Sequence, residues 1–264
     1  MTRPVRIGVQ LQPQHASEYR LLRDAVLRAE DAGVDIAFNW DHFYPLSGDH
    51  NGAHFECWTM LGAWAEQTER IEIGALVTGG GYRNPDLLAD MARTVDHISD
   101  GRLILGIGAG WFERDYDEYG YEFGTPGSRL ALLKANMARL TARLKKLNPQ
   151  PTRDIPILIG GGGEKKTLRL VAQYADIWHT FADLDALAHK SKVLTDHCVD
   201  VGTDQAKIER SVQWPGAERA LRYVEAGVSL FTIGVSGPKF DLSEVERALR
   251  WRDEVNPEPV SGLA

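Results

Sequence analysis

Three stretches of this sequence carry side chains in arrangements that could do chemistry. Trp40-Asp41-His42-Phe43 places a carboxylate and an imidazole at the end of a short apolar run, and imidazole is the side chain that exchanges protons near neutral pH. Residues 156–170, PILIGGGGEKKTLRL, lead an apolar run through Gly160, Gly161, Gly162 and Gly163 into a charged helical pattern. A glycine loop that opens a helix directs unpaired N–H groups and the positive end of the helix dipole at one place. An anion would fit there, supplemented by Lys165 or Lys166, but neither nucleotide fingerprint applies: EKKT lacks the glycine of a Walker loop, and Lys166 stands where a dinucleotide motif needs glycine. On these grounds a phosphate cradle and a plain turn are equally good readings. Trp178 and His179 end a further apolar run, where they either line a pocket or pack.

Other reactive types read more plainly. Asp41 is expected to orient loops, with its side chain directed away from that of His42. His50 and His54 are separated by a glycine and have no evident third ligand, so no metal site is expected. Cys57 and Cys198 form no C-x-x-C and read as packing residues.

The elements that must position these groups follow from periodicity. Eight β-branched and aliphatic runs, at 5–11, 35–40, 71–77, 102–108, 155–160, 176–180, 209–214 and 229–234, alternate with segments of helical spacing. Residues 17–32 carry Leu21, Leu22, Ala25, Val26 and Ala29 on one stripe and stop at Gly33. Residues 84–99 open with Asn84 as cap and Pro85 at the first helical position, and are expected to turn Leu87, Leu88, Met91, Val95 and Ile98 inward. Residues 129–147 repeat the pattern through Leu133, Met137, Leu140 and Leu144. Strand then helix, eight times over without a linker, predicts an α/β fold: one closed (β/α)8 TIM barrel forming a single domain over 1–264, with 255–264 as a loose tail. A doubly wound open sheet would place a glycine fingerprint after the first strand, where Gln12, Pro13 and Gln14 stand instead. Chemistry then belongs at the carboxyl ends of the strands, in loops rich in glycine, aromatics and histidine that suit a flat aromatic ligand.

Composition bounds the partners. The 264 residues are 43% hydrophobic and 25% charged, with a formal net charge of -7 that argues against generic binding to nucleic acid or anionic lipid. No apolar run approaches the roughly 20 residues of a membrane span, and residues 1–10 lack the apolar core of a signal peptide. A cytoplasmic protein acting on a small molecule is expected; the sequence leaves a homodimer open.

Four blocks together resemble a known family: residues 98–120 (ISDGRLILGIGAGWFERDYDEYG), 80–99 (GGYRNPDLLADMARTVDHIS), 40–43 (WDHF) and 157–179 (ILIGGGGEKKTLRLVAQYADIWH). They are similar to the luciferase-like monooxygenase superfamily, within its deazaflavin-dependent oxidoreductase branch. The resemblance implies a bacterial-luciferase-like barrel that binds the ring of coenzyme F420 across its mouth and moves a hydride between that ring and a small organic substrate. It implies His42 beside the ring as the proton-handling group, and Thr78, Gly79 and Gly80 as a bulge behind the ring, which in relatives holds a non-prolyl cis peptide. It implies close backbone approach at Gly108, Ala109 and Gly110, and the coenzyme phosphate on Gly160, Gly161, Gly162 and Gly163 with help from Lys166. Trp178 and His179, from their place at a strand end, are candidates for the coenzyme pocket, with packing an equal alternative. Trp111 stands where some sugar-phosphate-oxidising relatives place a catalytic glutamate, so that role is not carried over. An FMN-dependent monooxygenase and a non-catalytic flavin- or deazaflavin-binding protein are the competing readings. Residues 214–227 leave room for only one helix before the last strand, and no long insertion follows the fourth, so the resemblance does not supply a substrate lid.

Overall fold

All pairings between strands are parallel in the computed structural model, which describes residues 3–256. The strands are β1 (Arg6–Leu11), β2 (Ile36–Asn39), β3 (Glu72–Ala75), β4 (Thr78–Gly79), β5 (Leu103–Gly108), β6 (Ile157–Gly160), β7 (Ile177–Thr180), β8 (Glu209–Gln213) and β9 (Val228–Val235). Their order is β3-β2-β1-β9-β8-β7-β6-β5-β4, and β3 also pairs with β5, so the sheet closes on itself. β3 and β4 both run along β5, through Ile73 opposite Leu103 and Thr78 opposite Ile107, and so share one place in the wall. The result is the expected eight-position barrel in a single domain. Of the tail expected at 255–264, residues 257–264 lie outside the described residues.

The third run is not one strand. It breaks after Ala75 and resumes at Thr78, and the cis peptide expected within 78–80 lies earlier, at Leu76–Val77.

Alternation along the strands sorts two apolar layers. Ile7, Val9 and Leu11 of β1 face the surrounding helices, while Ile36, Phe38, Ile104, Leu158, Ile177 and Leu230 fill the barrel interior. Below that filling, Arg6 pairs with Glu72 at 2.6 Å and with Glu209, each the first residue of its strand. Ion pairs thus sit at the amino end of the barrel and hydrocarbon fills its middle, below the carboxyl ends of the strands.

The helices obey their local signals. Helices α1 (Tyr19–Asp31), α2 (Cys57–Gln67), α3 (Pro85–Ile98) and α4 (Glu113–Tyr119) follow in order; Asn84 caps α3 by accepting from the amide of Asp86, with Pro85 first in the helix. Leu87 and Ile98 do not turn inward: they are 54% and 42% exposed. The buried face runs instead through Leu88, Ala92, Val95 and Asp96, and Asp96 sets that rotation by accepting from the amide and hydroxyl of Thr152 at 2.7 and 2.8 Å. Helix α5 (Pro126–Leu144) starts earlier than the apolar pattern alone indicates, because Thr125 and Ser128 form a reciprocal capping box ahead of it. Helices α6 (Thr167–Tyr174), α7 (Leu184–Val201), α8 (Ala217–Glu225) and α9 (Ser243–Val255) complete the outer ring. Cys57 and Cys198 are free and buried. No helix among the described residues is long and apolar enough to cross a membrane.

Candidate active site

The loops after β2, β4, β5, β6 and β7 meet around a cavity of about 430 Å³ at the carboxyl ends of the strands. Its wall includes His42, Thr78, Gly79, Gly108, Ala109, Gly110, Gly160, Gly161 and His179. Gly80, Gly162, Gly163, Lys166 and Trp178 are not on that wall. Trp178 is fully buried on the helix side of β7, where its indole N–H donates to the Gly161 carbonyl at 2.8 Å. Alternation along β7 separates the two neighbours: His179 goes into the barrel and Trp178 goes under the glycine loop.

The strand does not continue past Asn39, so alternation does not sort Asp41 from His42: both line the cavity, and they differ in their partners. The Nδ1 atom of His42 lies 2.7 Å from Oδ2 of Asp115, a fully buried residue in the first turn of α4. Asp115 also accepts from the Tyr82 hydroxyl at 3.0 Å and from the Phe43 amide at 3.1 Å. A carboxylate only accepts, so neutral His42 must carry its proton on Nδ1 and present a bare Nε2. The rings of Trp40, Trp111 and Phe112 stand edge-on around the imidazole at 5.6 to 5.8 Å. Burial, then the charge of Asp115, pushes the Tyr82 hydroxyl far up, so it stays a donor.

Asp41 builds loops. Arg83 clasps it at 2.5 and 3.0 Å, the Gly79 amide donates to it at 3.2 Å, and the same guanidinium reaches Glu56, the cap of α2, at 2.7 Å. Burial pushes the Asp41 carboxyl up to about 6 against the pull of Arg83. One arginine therefore ties the end of β2, the start of α2 and the turn after β4 together.

Val77 forms the floor. A Cβ on Gly108 would come within 2.8 Å of its Cγ2, and one on Gly160 within 3.0 Å of its Cγ1. Glycine at these positions of β5 and β6 therefore leaves Val77 its place on the cavity wall. Gln10 donates to the Leu76 carbonyl at 2.7 Å, and the Trp58 indole donates to the Thr78 hydroxyl at 3.0 Å, fixing the segment from both sides.

The glycine loop is held open from behind. The Gly161 amide donates to the His179 carbonyl at 3.0 Å, and Gly161 adopts φ +125°, which a side chain would disfavour. Lys190 from α7 donates to the Gly162 carbonyl at 2.7 Å and pairs with Glu164 at 3.2 Å. The amides of Gly162, Gly163 and Glu164 find no backbone acceptor among the described residues, just ahead of α6.

The two remaining histidines near the site are neutral. His179 bonds Ser211 through Nδ1 at 2.8 Å and has no partner at Nε2; burial pushes its pKa down to about 4. His54 accepts the Trp40 indole N–H at 3.0 Å, and burial again pushes its pKa down to about 4.

Sequence reading missed Asp115, Tyr82 and Val77. Asp115 lies in ERDYDEY, five charges among seven residues, which looks like a solvated helix face; the aromatics spaced through it were the available signal.

Comparison with known proteins bears on the family and the fold. In Amycolatopsis mediterranei, an F420-dependent glucose-6-phosphate dehydrogenase is 28% identical over 190 residues, 65% of this chain and 54% of that protein. A phthiodiolone/phenolphthiodiolone dimycocerosates ketoreductase from Mycobacterium bovis is 35% identical over 144 residues, 48% of this chain and 37% of that protein. The matched regions thus span about half or less of these relatives' length. Among solved structures, an F420-dependent secondary alcohol dehydrogenase in complex with an F420-acetone adduct superposes with a TM-score of 0.82 at 17% identity, covering 95% of this chain and 99% of that one. A coenzyme F420-dependent tetrahydromethanopterin reductase from Methanopyrus kandleri gives 0.71 at 15% identity, over 94% and 97%. At these identities the superpositions speak for the barrel. Residues 4–215 match the profile of luciferase-like monooxygenases, and the chain belongs to that family.

Proposed function

We propose that this protein is a coenzyme F420-dependent oxidoreductase that transfers a hydride between the deazaflavin and a small organic substrate. The observation that carries the reading is the His42–Asp115 pair, with His42 on the cavity wall and Asp115 buried behind it. It is a preset proton-exchanging group beside a floor that glycine and Val77 leave flat. Three features fit the coenzyme: the backbone approach at Gly108 and Gly160, the unpaired amides of Gly162 to Glu164 for its phosphate, and the orphaned Nε2 of His179 for a polar edge of its ring system.

When bound, the deazaflavin supplies a ring carbon that gives or takes a hydride and reacts poorly with oxygen. The chain does the remaining work. Asp115 holds the proton of His42 at Nδ1, and Nε2 takes a proton from the substrate or returns one. Val77 would help hold the coenzyme at the cavity floor, and Arg83 keeps the turn after β4 in place through Asp41. The rings packed around His42 leave its side chain only 13% exposed, which limits solvation of the group that handles the proton.

Fluorescence titration with F420 and with FMN tests the coenzyme assignment. Tighter binding of F420, and turnover with a carbonyl acceptor that falls by roughly 10²–10⁴ in His42→Ala with coenzyme affinity kept within a few-fold, supports the reading. FMN-dependent oxygen consumption would replace it with a monooxygenase, and coenzyme retention without turnover with a binding protein.

A further inference from the structure

The substrate side of the cavity differs in chemistry from its coenzyme side. No lysine or arginine lies on the wall among the described residues, and residues 1–2 and 257–264 contain none either. The arginines around the mouth are already committed. Arg83 is spent on Asp41 and Glu56; Arg114 donates to the His50 carbonyl and the Asn51 side chain and covers the Tyr44 ring; Arg129 donates to the carbonyls of Gly110 and Phe123. A phosphate or carboxylate seated beside His42 would meet the buried carboxylates of Asp41 and Asp115 and no free cation. It would lose its hydration for nothing in return.

What the mouth offers is aromatic surface. Trp111 is 64% exposed and Phe181 83% exposed, though both line the cavity. Each is packed edge-on against a histidine, Trp111 on His42 at 5.6 Å and Phe181 on His179 at 5.2 Å. Large apolar rings left in water at the rim of a pocket mark a contact surface for an apolar ligand.

We propose that the substrate of this site is an uncharged, largely apolar ketone or its secondary alcohol, seated between Trp111 and Phe181 with its oxygen at His42. The inference rests on the hydride-transfer reading above. In the oxidising direction the carbinol C–H bond breaks and its electron pair leaves as hydride to the oxidised deazaflavin. The O–H proton passes to Nε2 of His42, and the C=O bond forms. In the reducing direction the same atoms move back from the reduced coenzyme and protonated His42.

Calorimetric titration of the F420-loaded protein with acetophenone and with glucose 6-phosphate tests it, run at low and high salt. Acetophenone is expected to bind at least ten-fold more tightly and with little salt dependence. Trp111→Ala and Phe181→Ala are each expected to weaken acetophenone five-fold or more, and to weaken F420 by a smaller factor. With 1-phenylethanol and oxidised F420, the same variants should raise KM more than they lower kcat. Tighter, salt-sensitive binding of glucose 6-phosphate overturns the inference, as does absence of acetophenone binding or an equal loss of both ligands in the variants. Failure of F420 itself to bind in the first step instead overturns the coenzyme reading, so the two failures are separable.

Discussion

His42 and Asp115 stand 73 positions apart in the chain and 2.7 Å apart in space, joined through the imidazole Nδ1. The contact converts a titratable ring into an oriented one. Its partner also accepts from the Phe43 amide and the Tyr82 hydroxyl, donors on two separate segments, so the imidazole inherits the rigidity of the barrel rim and not the freedom of a loop.

Replacing the carboxylate tests that orientation. Asp115→Asn can turn its amide toward Nδ1 and drive the His42 proton to Nε2, so kcat is expected to fall by roughly 10²–10⁴, as for a misplaced tautomer. The F420 affinity should change less than three-fold, and Asp115→Glu should recover part of the rate. Rates and pH profiles of both variants check this; an Asn variant with wild-type kcat would leave Asp115 as a packing residue.

Gly108→Ala should force a Cβ against Val77, whose branched side chain has no slack to move. A loss of about 1–3 kcal/mol in denaturant melts is expected, with weaker F420 binding. Adding Val77→Ala should return most of the stability while leaving binding impaired, because the floor would then lie too low.

Gly162→Val places branched carbon close to the Thr180 hydroxyl, which a Cβ alone would approach to 3.2 Å, and beside amides that have no backbone acceptor. F420 affinity should drop ten-fold or more with the barrel still folded. Lys166→Ala should cost less, since its side chain would only supplement the backbone amides of the loop. Unchanged affinity with a lowered Tm would make the loop a packing turn.

Three buried groups set the acid response. His54 and His179, each pushed from 6.5 down to about 4, favour the native state fully above 6.5 and lose that contribution as pH falls toward 4. Asp41, raised from 3.8 to about 6, has the opposite sign: its contribution is complete below 3.8 and lost as pH rises through 6. Between 6 and 4 these three groups together bind about one proton more in the unfolded chain than in the native one, contributing a loss of about 1.4 kcal/mol per pH unit on acidification. His179→Gln should lower the slope by about that amount. Equilibrium unfolding at several pH values reads it directly, and an unaltered slope would mean that His179 is not the titrating group.

Period and punctuation made the barrel legible: all eight apolar runs contain strand, and Asn84-Pro85 begins a helix where the capping signal puts it. What stayed hidden depends on neighbours distant in sequence. The interruption at 76–77 is set by glycines on β5 and β6 that make room for Val77. The rotation of α3 that exposes Leu87 is set by Asp96 and Thr152. His42 was readable as the end of a strand, but its partner was not, because acidic residues in a short helix normally face water. The split between Trp178 and His179 was available in principle, since neighbours on a strand cannot both face the barrel axis.

The hydrocarbon filling of the barrel and the ion pairs of Arg6 beneath it separate the floor of the cavity from the amino end of the barrel. Whatever lies against Val77 arrives first and departs last. A deazaflavin seated there can exchange only after the molecule above it has left, so initial-rate patterns should be those of an ordered sequence. Excess product should also slow coenzyme release by trapping it underneath.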